Sequence, residues 1–317
     1  MGSEQGAWGA RSSSRLVMLL SSERSGSTLL RVMLGEHSRI AAPQELFLMR
    51  YPTFDAWRAE KAEAFESLVE LFFLLGQPRT EAAIDAACRG RSSAEVYDWI
   101  CAQLPSGGLL LDKTPAYAND MATLLRSAAL EPFYIWLIRH PLGVVDSHVR
   151  LKRAEQRRQA RPLRALRPVR DALARLTNGM TAVARERETK WVRQNTNLRT
   201  FLRRVPETQH AIVHFEDLVR TPRRALGELC AHIGLRFEPA VLQPQTRQLM
   251  NPHLGDPNFH LHAGIDATPA ERWRAAYDES VLRDETLQLM TQIGVRSPRL
   301  APTAASADDP AGMALGA

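Results

Sequence analysis

Cysteine, lysine and aromatic residues are scarce in this sequence, and it has no long apolar run. Three cysteines in 317 residues, Cys88, Cys101 and Cys230, form no Cys-x-x-Cys pair and leave an odd number. That argues against a disulfide scaffold and against a structural zinc site. No apolar stretch approaches the ~18 residues of a membrane-spanning helix. The N-terminal stretch up to Arg15 has no apolar core, so no secretory signal is expected. No Gly-Lys dipeptide occurs, so the nucleoside-triphosphate loop is missing the lysine that reaches the β- and γ-phosphates. No Gly-x-Gly-x-x-Gly occurs either, and with it goes the dinucleotide fingerprint. These absences point to a cytoplasmic chain with no membrane partner and no metal.

Among the residues that are present, 44% are apolar and 24% charged, enough to bury a substantial core over this length. The net charge of +6 is unevenly spread. From Arg150 to Arg175 the basic residues are opposed only by Glu155 and Asp171. The segment at about 152–178 therefore reads as a basic insertion, either a lid over an acceptor site or a dock for an acidic protein such as a carrier. It holds no aromatic residue, so stacking on nucleic-acid bases has no support. Only four lysines stand beside 37 arginines, which singles out Lys113.

Short apolar runs alternate with helical stretches, the pattern of a parallel α/β sheet. Strands are expected at Leu16–Ser22, Leu109–Asp112, Phe133–Arg139 and Ala211–Phe215. Helices are expected after the first strand to about Glu36, over much of 55–104, from Pro141, around Met180–Arg204 and at Pro222–Ile233. Residues 239–267 read as loop. The chain divides into a flexible tail at 1–14, one domain at 15–298 and a disordered tail at 299–317.

The first strand runs into Arg24-Ser25-Gly26-Ser27-Thr28-Leu29. A strand, a tight turn and a helix N-terminus make an anion cradle, because unpaired amides and the helix dipole both favour negative charge there. Gly26 lets the backbone approach the anion, Ser27 and Thr28 add hydroxyls, and Arg24 adds charge.

Arg24–Leu30 resembles the 5′-phosphosulfate loop of sulfotransferases that use PAPS (3′-phosphoadenosine 5′-phosphosulfate). Phe133–Ser147 resembles their 3′-phosphate site, where an arginine at a strand end and a serine eight residues later grip that phosphate. Arg139 and Ser147 occupy those places. The segment His214-Phe215-Glu216-Asp217-Leu218 resembles the family's Tyr-Glu-Asp-Leu stretch, with Phe215 where many members have tyrosine. The late segment containing Asn258, Phe259 and Arg272 resembles the loop that closes over the nucleotide. The nearest likeness is to tyrosylprotein sulfotransferases and to polyketide-synthase-associated bacterial sulfotransferases.

That resemblance implies a P-loop-NTPase-like parallel sheet flanked by helices, with helical insertions. It also implies sulfuryl transfer from PAPS to a natural-product or carrier-bound alcohol, releasing 3′,5′-ADP. Such in-line transfer rests on positioning and charge stabilisation. Glu45 follows the cradle helix closely enough to return to the same sheet edge, and a glutamate in this position is the base in tyrosylprotein sulfotransferases. His37, His140 and His148 are the rival bases. The resemblance sends Lys113 to the transferred group, with Arg24 sharing that work; Asp112 beside it would orient the lysine or merely cap the next turn, and is not counted in the site. Two other readings stay open: a metal-dependent small-molecule kinase, and a basic partner- or nucleic-acid-binding protein with a vestigial nucleotide site.

Overall fold

The computed structural model describes residues 14–159, 181–244 and 264–296. Most of the basic insertion, both tails, Asn258 and Phe259 lie outside the described residues.

Three strands form the buried centre of the sheet: β1 (Leu16–Ser21) and β4 (Phe133–Ile138), almost wholly apolar, and β3 (Leu109–Lys113), apolar up to Asp112. Every residue in them is buried, as in strands covered on both faces. They pair in parallel with two edge strands, the two-residue β2 (Ile40–Ala41) and β5 (His210–His214), in the order β2-β3-β1-β4-β5. The expected α/β parallel sheet is therefore present, with β1 at its centre. The edge strand β5 is half exposed, and Ile212 faces solvent.

The sheet's two faces follow the period of two. Leu16, Met18, Leu20, Leu110, Tyr134 and Trp136 point to one face. There they meet a helical layer that includes α2 (Phe54–Glu60), α3 (Phe65–Leu74), α5 (Ser93–Gln103) and α8 (Ala182–Leu202). Val17, Leu19, Leu111, Phe133 and Ile135 point to the other, against α1 (Ser27–Gly35) and α10 (Pro222–Ile233). Among the described residues the remaining α-helices are α4 (Glu81–Cys88), α6 (Met121–Ser127), α7 (Pro141–Gln159), α9 (Phe215–Arg220), the one-turn α11 (Thr268–Glu271) and α12 (Asp284–Gln292).

Boundaries expected from sequence hold to within a residue or two, and α10 matches at both ends, where Pro222 starts it and Gly234 stops it in the left-handed region. Two expectations change. The strand β2 was not foreseen, because two residues carry no periodicity. Lys113, expected just beyond its strand, is the last residue of β3 and only 1% exposed. Among the described residues no helix is long and apolar enough to cross a membrane.

Candidate active site

In a parallel sheet the crevice for ligands lies at the C-terminal strand ends, where connections leave the centre in both directions. Here β1 supplies the middle of that edge, β3 one flank and β4 the other.

The turn after β1 is wound tightly. Arg24 has φ 63° and Gly26 φ 92°, and the Ser22 and Ser25 hydroxyls lie 2.7 Å apart. Gly26 is required twice over: its φ suits glycine, and a Cβ there would lie 2.4 Å from the Phe215 ring. Gly26 is the N-cap of α1 and offers no side-chain cap. The first-turn amides of Ser27, Thr28 and Leu29 thus lack an i−4 carbonyl, and the dipole end of α1 opens on this turn. Ser25, Ser27 and Thr28 are all buried. This donor set, amides at a helix N-terminus with hydroxyls and an arginine beside them, fits a phosphate-like anion.

On the β4 flank, Arg139 is 4% exposed and bound up with the cradle itself. One terminal nitrogen donates to the Arg24 carbonyl at 2.9 Å, and the other to the Pro269 carbonyl at 2.7 Å. Its guanidinium lies 4.4 Å over the Phe215 ring, and its buried Nε has no acceptor among the described residues. Gly143 leaves it room, since a Cβ there would lie 2.9 Å from Nε. Burial pushes the Arg139 pKa down to about 10, with Glu216 opposing and Arg272 and Arg24 adding to the fall. Arg24 Nε donates to Ser147 Oγ at 3.2 Å, and Arg272 pairs with Asp146 at 3.2 Å. The structure thus brings Arg24, Arg139, Ser147 and Arg272 into one contact network. Arg139 serves there as a clamp on two main-chain carbonyls, while sequence reasoning gave it only a ligand.

On the β3 flank, Lys113 Nζ meets Glu45 Oε1 at 2.6 Å, although 68 positions separate the two residues. The Lys113 side chain is 2% exposed and that of Glu45 13%. Burial lowers the lysine pKa, Glu45 opposes this, and Arg31 adds to it. Glu45 Oε2 makes no hydrogen bond among the described residues.

Two of the three rival bases are otherwise engaged. His37 uses both ring nitrogens, one with the Arg236 carbonyl at 2.9 Å and one with the Arg39 amide at 3.0 Å. It lines a cavity of about 260 Å³ beside Ile40 and Leu109, at the start of β2 and β3 and so at the opposite end of the sheet. His140 accepts from the Leu142 amide at 3.2 Å, pairs with Glu279 at 3.0 Å and stacks on Trp273, ring centroids 4.2 Å apart. His148 does neighbour the cradle. Burial pushes its pKa down to about 3, with Arg187, Arg24, Lys190 and Arg139 adding to the fall, and an imidazole that acidic is a weak proton acceptor.

Sequence reasoning missed Gly143 and Pro269, and it missed the three hydroxyls that gather on Asp112. The last left a signal, since an aspartate inside the apolar strand Leu-Leu-Leu-Asp-Lys must be buried and must find partners.

A family model described as "Sulfotransferase family" matches residues 17–239. That span includes the cradle, Glu45, Lys113, Arg139 and Ser147 and stops before Arg272. Among solved structures, the sulfotransferase domain from the curacin biosynthetic pathway is similar with a TM-score of 0.71 and 29% identity, over 89% of this chain and 98% of that one. The sulfotransferase domain from the Synechococcus PCC 7002 olefin synthase is similar with a TM-score of 0.72 and 30% identity, over 89% and 95% of the two chains. Comparison with curated proteins finds no match.

Proposed function

This chain belongs to the sulfotransferase family, and from that premise we propose that it moves a sulfuryl group from PAPS to a hydroxyl acceptor, with Glu45 as base. The observation that carries the reading is the contact between the cradle turn and the β4 end, Arg139 to the Arg24 carbonyl at 2.9 Å and Arg24 to Ser147 at 3.2 Å, beside the Lys113–Glu45 pair.

The amides of Ser25 to Leu29 and the Arg24 side chain would hold the 5′ end of the donor. Arg139 and Ser147 would hold the 3′-phosphate, and Asn258, Phe259 and Arg272 would border the nucleotide. When bound, PAPS supplies an activated sulfuryl group on a phosphate leaving group. Glu45 Oε1 is held by Lys113, which leaves Oε2 to take the proton from the acceptor hydroxyl. Lys113 and Arg24 place fixed positive charge around the reacting centre in a water-poor site, where charge acts most strongly. A 3′-phosphate site also discriminates against ATP, which has no such group for Arg139 and Ser147 to bind. Sulfotransferase domains of biosynthetic pathways among the solved relatives support a natural-product or carrier-bound alcohol as acceptor. An acidic carrier would find its electrostatic complement in the basic segment at 150–175.

The test is incubation of the full chain with radiolabelled PAPS and a panel of alcohols, alongside calorimetric titration with 3′,5′-ADP and no added metal. Label transfer and metal-free 3′,5′-ADP binding are expected. Failure to bind 3′,5′-ADP would remove the donor assignment. Binding without transfer to any alcohol would remove the acceptor class.

A further inference from the structure

Lys113 holds the Glu45 carboxylate, but a second, buried cluster holds the chain that carries it. The strand β3 ends in Asp112-Lys113-Thr114, and alternate residues face opposite sides. Lys113 shares its face with Leu109 and Leu111, on the side of α1. Asp112 shares the other with Leu110, among Tyr97 and Tyr117. The segment 42–49 passes the end of β3 and is held from both faces.

Asp112 Oδ2 accepts from the Tyr97 hydroxyl and, at 2.8 Å, from the Tyr117 hydroxyl, while Oδ1 accepts from Thr114 Oγ1 at 2.9 Å. The three hydroxyls donate to this carboxyl group, so they point their protons at it and turn lone pairs outward. Thr114 Oγ1 then takes the Phe47 amide at 3.3 Å, and Tyr117 Oη the Met49 amide at 3.2 Å. Between those two anchored amides lies the φ of Phe47, at 56°, a left-handed conformation that a bulky residue rarely adopts, two residues beyond Glu45.

A buried carboxylate with three hydroxyl partners is a costly way to end an apolar strand, since well-packed hydrophobic side chains commonly stabilise such a place as well or better. Burial does raise the Asp112 pKa, with the hydroxyls opposing. Strain and a buried polar network beside a reactive carboxylate are what preorganisation of that group requires. We propose that Asp112, Thr114 and Tyr117 are positioning residues, whose network holds the strained turn at Phe47 and so aims Glu45 Oε2 at the acceptor hydroxyl. The proposal rests on the reading of Glu45 as base.

The experiment compares Tyr117→Phe, Thr114→Val and Thr114→Ser with the parent chain and with Glu45→Gln. Four quantities are measured: kcat with radiolabelled PAPS and the best alcohol of the panel, 3′,5′-ADP affinity by calorimetry, amide hydrogen exchange at Phe47 and Met49, and the thermal midpoint. Tyr117→Phe should speed exchange at Met49, and Thr114→Val at Phe47. Each should lower kcat by ~10–100-fold, the scale of a small misplacement of a catalytic group, with 3′,5′-ADP affinity unchanged. Thr114→Ser keeps the hydroxyl and should restore both kcat and protection. Full kcat in both Tyr117→Phe and Thr114→Val, or a matched loss of kcat and 3′,5′-ADP affinity, would overturn the proposal. Failure of the base reading looks different, because Glu45→Gln alone would then keep its turnover.

Discussion

Arg139 joins three parts of the chain through one side chain: the cradle turn at Arg24, the aromatic ring of Phe215 and the late carbonyl of Pro269. A lysine has one ammonium and no planar fork, so it cannot replace that geometry. Arg139→Ala is expected to weaken 3′,5′-ADP binding by ~2–3 kcal/mol, the range for a lost charged hydrogen-bonding partner, and Arg139→Lys to recover only part of it. Calorimetry checks this, and unchanged affinity would detach Arg139 from the donor site. His148 makes a prediction of its own. Its folded pKa is about 3 against an ordinary 6.5, so between those values the unfolded chain binds a proton that the folded chain does not. Stability from this source is complete above pH ~6.5 and is lost as pH falls towards 3. Denaturant midpoints across that window should fall less steeply for His148→Gln than for the parent chain. Equal slopes would mean that the ring is charged in the folded protein.

Among the elements, β3 shows most plainly how one strand divides its work. Its apolar residues build both faces of the sheet, its last residue meets Glu45, and the residue before it holds the segment on which Glu45 sits. Helix α5 is the contrast, an element with a stabilising device at its own N-terminus. Ser92 and Glu95 form a capping box, each side chain meeting the other's backbone amide, and the hydroxyl also donates to the carboxylate at 2.7 Å. Ser92→Ala should therefore cost ~1 kcal/mol of stability and leave 3′,5′-ADP affinity untouched. A denaturant midpoint and one titration decide it, and altered affinity would show that the helical layer reaches the donor site. Legibility from sequence also differed by element. The apolar runs of β1, β3 and β4 and the Pro-to-Gly frame of α10 were plain, because burial on both faces and helix ends each restrict residue type locally. The strand β2 was invisible, since its pairing to β3 comes from neighbours distant in the chain.

Across the whole molecule, the segment from Gly264 to Arg296 closes against the sheet edge through several contacts. Pro269 accepts from Arg139, Glu279 pairs with His140, and Glu188 in α8 accepts from the Arg283 amide at 2.9 Å and from Thr286 at 2.7 Å. Trp273, 2% exposed and stacked on His140, sits within this seam. Trp273→Ala should cost ~3–5 kcal/mol, the range for deleting a large buried aromatic, and should weaken 3′,5′-ADP binding as the Pro269 contact loosens. A stability loss no larger than that of a surface substitution would show that the segment does not anchor the site. The strand–turn–helix cradle, the left-handed turn that calls for Gly26 and the buried character of the central strands follow from the order of residues alone, because steric and solvent constraints act there on consecutive residues; that Phe215 also demands a glycine at 26 does not. Tertiary structure alone decided that Glu45 meets Lys113, that Arg139 clamps the cradle turn and Pro269, and that Asp112 supports the turn at Phe47. Those contacts join positions tens of residues apart, and only the order in which parallel strands lie side by side brings such positions to one edge.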